Sequence, residues 1–210
     1  MMPVVVIKGW CGKVFFVTLW ILVLARPVVA QHEILSSTLE KGVLLVASPS
    51  LTDPNFQQTV LLILEHGREG TVGVILNRPT DVLLSDVLPD LPMLKKTPHR
   101  LFAGGPVGRA QMVLLFRLEG PYPDARLIFG GIYVGTPGVL ERIITQPKPT
   151  ETFRAFAGFA GWAPGQLDHE MLEGAWGVLP KHSFDIFDKD PATLWPDSVT
   201  RLQAPMTISR

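Results

Sequence analysis

Short apolar runs separated by glycine and proline recur along the chain from Leu39 onward. Runs of roughly four to eight residues that are rich in valine, isoleucine and leucine are typical of β-strands. The pattern predicts five strands, over residues 43–49, 59–66, 71–79, 111–118 and 126–135. Glycine at both ends of segment 67–70 indicates a hairpin between the second and third strands. Because several runs are continuously apolar, we expect burial on both faces, as in a barrel or a covered sheet.

Helical signals are fewer than strand signals. The clearest lies at residues 164–174, where proline suits the first helical turn and Gly174 provides a stop. Leu167 and Met171 would share the buried face of this helix, because residues one turn apart lie on the same side. Shorter helical segments are predicted at residues 85–88, 138–144 and 192–202.

The length and composition fit one globular domain behind a short extension. The chain has 210 residues, of which 47% are apolar and 18% are charged, so it can bury a sizeable core. No internal repeat, linker or low-complexity stretch divides it. We therefore predict a single domain over residues 31–210.

The first 30 residues have the order of a secretory signal peptide. Lys8 and Lys13 precede an apolar run at residues 14–25, which as a helix would span only about 18 Å. That length is short of the roughly 30 Å hydrocarbon core of a bilayer. Val28 and Ala30 suit cleavage before residue 31, so we expect a periplasmic or secreted protein. An uncleaved membrane anchor and a mis-called start, with a cytoplasmic product, are the alternatives.

The charge of the domain argues against direct nucleic-acid binding. The whole chain has a net charge of zero, but residues 1–30 contain three basic residues and no acid. The remaining residues carry 16 basic and 19 acidic side chains, a net charge of −3. Nucleic-acid binders usually present a basic surface to the phosphates.

Several kinds of chemistry are excluded by the residues available. The only cysteine, Cys11, lies in the extension, so a chain starting at residue 31 has no thiolate for catalysis or metal binding. Common hydrolase, nucleotide-binding and metalloprotease motifs are absent, and the five histidines show no metal-ligand spacing. We predict no metal and no cofactor.

One pair of residues supports an enzymatic alternative. Glu65 and His66 end a predicted strand, and a side chain at such a place can reach a cleft. Histidine titrates near neutrality, so a general base is conceivable in a hydrolase-like site near Arg78. This hypothesis requires the three side chains to converge.

The candidate binding residues fall into three short strings. Arg78, beside Asn77 at a strand end, either clamps an anion or pairs with a carboxylate. Gly104 and Gly105 either let the backbone approach a ligand or serve a tight turn. The glycines and proline of segment 158–166 suggest a tight turn, against which Trp162 packs either as a structural plug or as one wall of a pocket. The predicted ligand-binding residues are Asn77, Arg78, Gly104, Gly105, Trp162, Gly165 and Gln166.

Taken in order, the strings at residues 51–60, 73–79, 104–107 and 159–170 resemble the AlgH/YqgE family. The resemblance covers about residues 39–187. It implies an α+β fold in which a bifurcated, mostly antiparallel β-sheet curls into a pseudo-barrel with flanking helices. It implies little chemistry, because the family is largely uncharacterised and only a transcriptional-regulator label is attached to some members.

Two departures from the family pattern bear on function. The family tends to place a Leu-His pair after the glycine-rich string, whereas this strand reads Leu114-Leu115-Phe116. Members also usually begin at the domain and are cytoplasmic. An exported member would be separated from any promoter, which weakens the regulator label.

The sequence therefore favours a non-catalytic binding or protein-interaction domain that is exported. Its expected partner is a small ligand or a protein, its membrane contact is limited to the signal segment, and its oligomeric state is left open. The hydrolase-like enzyme and the transcriptional regulator are the alternatives.

Overall fold

The computed structural model describes residues 39–145 and 152–204. The predicted signal peptide, residues 1–30, lies outside them. The described strands are β1 (Leu44–Ala47), β2 (Val60–Gly67), β3 (Gly70–Ile75), β4 (Pro79–Leu83), β5 (Arg100–Ala103), β6 (Val107–Arg117), β7 (Ala125–Phe129), β8 (Ile132–Gly135), β9 (Thr152–Trp162) and β10 (Trp176–Leu179). The helices are α1 (Leu84–Val87), α2 (Pro137–Ile144), α3 (Gln166–Leu172) and α4 (Pro191–Gln203), with a 3-10 helix at Pro92–Lys96.

Strand β9 is the branch point of the sheet. The strands follow the order β10-β1-β2-β3-β9-β6-β8-β7, and β5 pairs with β4 and with β9. Every described pairing is antiparallel except that of β5 with β9. Residues 160–162 of β9 pair with β3, whereas residues 155–157 pair with β5. The predicted α+β fold, with a bifurcated, mostly antiparallel sheet and flanking helices, is confirmed.

Strands β1 and β2 are buried on both faces, as their continuous apolar runs predict. Leu44 packs in a core cluster with Leu194 of α4. The next residue, Leu45, points to the other face and packs in a cluster with Leu167 of α3. Burial of one such leucine contributes about 1.5–3 kcal/mol, so helices on both sides stabilise the strand pair.

Helix α4 is fixed at its start and along its inner face. Asp190 caps it by accepting a 2.9 Å hydrogen bond from the backbone N–H of Ala192. The indole of Trp195 donates a 2.9 Å hydrogen bond to the carbonyl of Ala47 in β1. The helix predicted at residues 192–202 is confirmed.

Helix α2 covers the other branch of the sheet. Pro137 occupies its first turn, where a missing N–H costs nothing. Its buried residues Val139, Leu140 and Ile143 pack in a third core cluster with Phe116 of β6. This packing places the end of α2 beside β9.

The structure corrects one predicted strand and one predicted turn. Segment 126–135 is not one strand, because Gly130 and Gly131 adopt positive φ angles and turn it into the β7–β8 hairpin. Residues 158–162 belong to β9, so the tight turn predicted over 158–166 begins only after Trp162. Strands β4, β5, β9 and β10 were not predicted.

Candidate functional site

Arg78 follows β3 and holds the loop that precedes β2. Its guanidinium donates to the carbonyl of Asn55 at 2.6 Å and to those of Pro54 and Gln57, each at 3.2 Å. Burial lowers the pKa of Arg78, and the nearby Asp53 acts in the opposite direction. Its hydrogen bonds therefore go to the main chain, rather than to the anion or carboxylate that the sequence suggested.

Asn77 fixes the other end of the same loop. Its Oδ1 accepts from the backbone N–H of Val60, and its Nδ2 donates to the carbonyl of Gln58, both at 2.9 Å. Gln58 has a φ of 55°, in the left-handed region that residues other than glycine rarely adopt. The amide of Asn77 thus stabilises a strained backbone, and segment 53–58 is held at both ends.

Trp162 packs inside the core and is only 5% exposed. Phe56, from the loop that Arg78 holds, stacks on its ring with centroids 6.0 Å apart and meets Trp176 edge-on at 5.6 Å. Oε2 of Glu170 accepts from the Nε1 of Trp162 at 3.0 Å and from that of Trp176 at 2.8 Å. Of the two interpretations of Trp162, this burial supports the structural plug.

Gly165 and Gln166 lie at the N-terminus of α3. Gly165 is the residue before the first turn and has a φ of 75°. Gln166 accepts from the backbone N–H of Ala163 at 3.1 Å and donates to Oε1 of Glu170 at 3.0 Å. The amide that was expected to meet a ligand is occupied within this turn.

Gly104 and Gly105 let the end of β5 approach β9. A Cβ atom at Gly104 would lie 2.3 Å from the carbonyl oxygen of Gly158. At Gly105 it would lie 2.2 Å from the carbonyl carbon of Phe159. The close approach is thus made to a neighbouring strand, although Gly105 also lines a small pocket of about 260 Å³ with Arg78.

The residues of the hydrolase hypothesis do not converge. Glu65 pairs with Arg126 at 2.9 Å, and His66 Nδ1 is 2.8 Å from the hydroxyl of Thr71. Both lie near the C-terminal end of β2, about 17 Å along the strand from Val60, which is bonded to Asn77 next to Arg78. The arrangement that this hypothesis requires is absent from the described structure.

The predicted binding residues thus fall into two groups that meet at Phe56. Asn77 and Arg78 bond the loop that carries Phe56, and Gly105 lines a pocket with Asn55 of that loop. Phe56 stacks on Trp162, and Gly165 and Gln166 form the turn that follows this tryptophan. Their polar groups are mostly used within the protein, and they do not line one open cavity.

A larger cavity lies elsewhere, between β5, α2, the 3-10 helix and the first half of β9. Its volume is about 550 Å³. Most of its wall is apolar, and the main contributors are Leu94, Phe102, Ile143, Phe153, Ala155 and Phe187. We refer to it as the β9 cavity.

Arg154 is the most deeply placed charged group on the wall of the β9 cavity. Its Nη2 donates to the carbonyl of Phe187 at 2.8 Å and to that of Lys189 at 3.3 Å. Its Nη1 is buried and has no hydrogen-bond partner among the described residues. Burial lowers the pKa of Arg154, whereas Asp185 acts in the opposite direction.

The remaining polar wall consists of Thr97, His99 and Arg100. Burial lowers the pKa of His99, because it favours the neutral form of the imidazole. Its ring lies on Phe153 with centroids 4.4 Å apart. Arg100 pairs with Asp81 at 3.2 Å but remains half exposed. The wall formed by described residues carries guanidinium groups and no carboxylate.

Sequence reasoning missed this cavity because its walls come from segments far apart in the chain. Two of them, β5 and the first half of β9, were not predicted as strands. The one local signal is Arg154, a charge placed between apolar residues in the stretch 153–157. A charge in a buried strand indicates a site that needs it.

The described residues form neither a metal cluster nor a membrane-spanning helix. No group of three or more histidine, cysteine, aspartate or glutamate side chains there could hold a metal ion. None of the helices formed by those residues combines the length and apolarity needed to cross a bilayer.

Comparison with known proteins identifies sequence relatives in many bacteria. A family model described as AlgH-like matches residues 44–207. A UPF0301 protein of Streptomyces coelicolor is 37% identical over 172 residues, which cover 80% of this chain and 89% of the relative. A UPF0301 protein of Streptomyces avermitilis is 39% identical over 166 residues, covering 76% and 85%.

Solved structures show the same fold. A crystal structure of a Corynebacterium diphtheriae protein matches with a TM-score of 0.63 and 29% identity, covering 80% of this chain and 88% of that one. The solution structure of the AlgH protein from Pseudomonas aeruginosa matches with a TM-score of 0.62 and 28% identity, covering 79% and 90%.

Proposed function

The chain belongs to the AlgH-like family, and from that premise we propose that it is a non-catalytic binding domain that holds a small molecule in the β9 cavity. The observation that carries this proposal is the cavity itself. Its volume of about 550 Å³ falls within the roughly 300–1,000 Å³ of small-molecule sites. Like those sites, it combines apolar walls with a few polar groups.

The side chains of the cavity favour binding over catalysis. Catalysis by a nucleophile or general base needs such a group within reach of a partner that activates it. The wall formed by described residues has no carboxylate, serine or cysteine. The hydroxyl of Thr97 donates to the carbonyl of Leu94 at 2.9 Å. Among the described residues, none forms a hydrogen bond that would orient the imidazole of His99.

A bulky side chain in the wall tests the proposal. We expect Ile144→Trp to fill part of the β9 cavity and to weaken binding of a neutral apolar dye, Nile red, at least tenfold in a fluorescence titration. Leu127→Trp, at an exposed position of β7, is the matched control and should bind like the parent chain. Equal affinity in the parent and both variants would contradict the proposal.

The second part of the proposal is export, with residues 1–30 removed. It rests on the sequence order described above: basic residues, a short apolar run and small residues before position 31. Expression in a Gram-negative host should yield a periplasmic species whose mass corresponds to a start at or near Gln31. Ala30→Arg should retain the longer species, because signal cleavage requires a small residue there. A cytoplasmic, full-length product from the parent chain would refute export.

A further inference from the structure

The β9 cavity has two arginines at adjacent positions of neighbouring strands. Leu101 of β5 pairs with Ala155 of β9 in parallel register, so the preceding residues, Arg100 and Arg154, lie opposite each other. Neighbouring strands are about 4.8 Å apart, and residues opposite each other point to the same face. Both arginines line the cavity.

Arginines at opposed positions of neighbouring strands bring two positive charges to the wall of one cavity, which favours the binding of an anion there. Asp81 pairs with Arg100, but this aspartate is fully exposed and its pairing is weak in water. The acids nearest Arg154, Asp185 and Asp188, both pair with Arg117. The pair of arginines is therefore left without a buried carboxylate from the described chain.

Arg154 is also incompletely satisfied. Two backbone carbonyls accept from Nη2, whereas Nη1 is buried with no partner among the described residues. A buried guanidinium N–H without an acceptor is costly, and such groups are ordinarily paired in native structures. Phe102 lies under the guanidinium, 5.0 Å from its carbon, and limits the directions in which it can turn.

From these observations we infer that the ligand of the β9 cavity is an apolar monocarboxylate, whose carboxylate lies at Arg154 and Arg100 and whose apolar body fills the rest. This inference rests on the proposed function and deepens it. Guanidinium and carboxylate form paired, charge-assisted hydrogen bonds, which are stronger than those to a neutral hydroxyl. The phenylalanine and isoleucine wall matches an apolar body and would reject a small, fully hydrated anion.

A pair of ligands that differ only in the head group tests the inference. Decanoate and decanol share one apolar chain, and both can be titrated into the full chain by calorimetry at pH 7.5. We expect decanoate to bind at least tenfold more tightly than decanol. Arg154→Met and, separately, Arg100→Met should bring the two affinities within about threefold of each other by weakening only decanoate.

Two further variants separate charge from structure. Arg154→Lys keeps the charge without the fork of N–H groups, and should retain part of the preference for decanoate. Arg68→Met removes an exposed arginine from the β2–β3 hairpin and should leave both affinities unchanged. Because Arg154 also holds two carbonyls, Arg100→Met remains decisive if Arg154→Met fails to fold.

The outcomes distinguish the two proposals. Equal affinities for decanoate and decanol in the parent chain would overturn the carboxylate inference and leave a binding cavity in place. Inorganic phosphate that binds as tightly as decanoate would overturn it as well, because the site would then recognise charge alone. No binding of decanoate, decanol or the neutral dye would overturn both.

Discussion

Glu170 and Arg78 each use one charged group to join separate segments of the fold. The carboxylate of Glu170 accepts from the indoles of Trp162 and Trp176, at the end of β9 and the start of β10. The guanidinium of Arg78 holds the loop that carries Phe56, whose ring packs on both indoles. The two groups therefore stabilise the same core cluster from opposite sides.

Removal of the Glu170 carboxylate should destabilise the fold. In Glu170→Ala two buried indole N–H groups lose their acceptor, and each unsatisfied donor costs about 1–3 kcal/mol. We expect the free energy of unfolding to fall by about 2–4 kcal/mol, as measured by urea denaturation. Glu170→Gln keeps one carbonyl oxygen as acceptor and should lose only about 1 kcal/mol.

Glu173 provides the matched control for this prediction. It follows α3 directly, is exposed, and contacts only His169 at 3.3 Å among the described residues. Exposed pairs of this kind contribute little, so Glu173→Ala should change the free energy of unfolding by less than about 0.5 kcal/mol. An equal effect of the two alanine variants would show that the indole hydrogen bonds do not stabilise the cluster.

At this scale the sequence identified which residues are unusual but not what they do. Trp162 and Arg78 stand out by type and by their glycine and proline neighbours. Their partners are Glu170, eight residues on, and the backbone of segment 54–57, more than twenty residues back. Whether Trp162 is a structural plug or a pocket wall depends on the groups that contact it, and these contacts are set by the tertiary structure.

Among the elements, the strands with continuous apolar runs were predictable and those with small residues were not. β1 and the first five residues of β2 are buried throughout, and eight of these nine positions are leucine, isoleucine or valine. β9 alternates phenylalanine with alanine and glycine instead, because β3, β5 and β6 all pair with it at close range. Glycine and alanine are weak strand signals, so its local pattern suggested a turn.

The binding cavity was hidden for the same reason. Its charged group, Arg154, lies on β9, and the arginine opposite it begins β5. The apolar run of β5 is too short to be recognised as a strand from the sequence, and β9 is too rich in alanine and glycine. The register that places the two arginines opposite each other exists only after these two distant strands have paired.

For the molecule as a whole, the end of β5 adds a second connection between the two branches of the sheet, which β9 already joins through its pairing with β3 and β6. The backbone N–H of Gly104 donates to the carbonyl of Ala157 at 2.8 Å, and its own carbonyl accepts from the N–H of Ile75 at 2.9 Å. One glycine therefore connects the branch that holds the β9 cavity to the β1–β2–β3 branch. Its lack of a side chain is what permits this contact on both sides.

A methyl group at this junction should destabilise the whole fold rather than one edge of it. In Gly104→Ala the new Cβ would lie 2.3 Å from the carbonyl oxygen of Gly158 and 2.9 Å from the Cβ of Phe156, so β5 and β9 must separate. We expect the free energy of unfolding to fall by about 2–3 kcal/mol, in one cooperative urea transition. Gly67→Ala, where nothing lies within 4 Å, should stay within about 0.5 kcal/mol of the parent chain. If Gly104→Ala is instead as stable as Gly67→Ala, the two branches do not depend on this close approach.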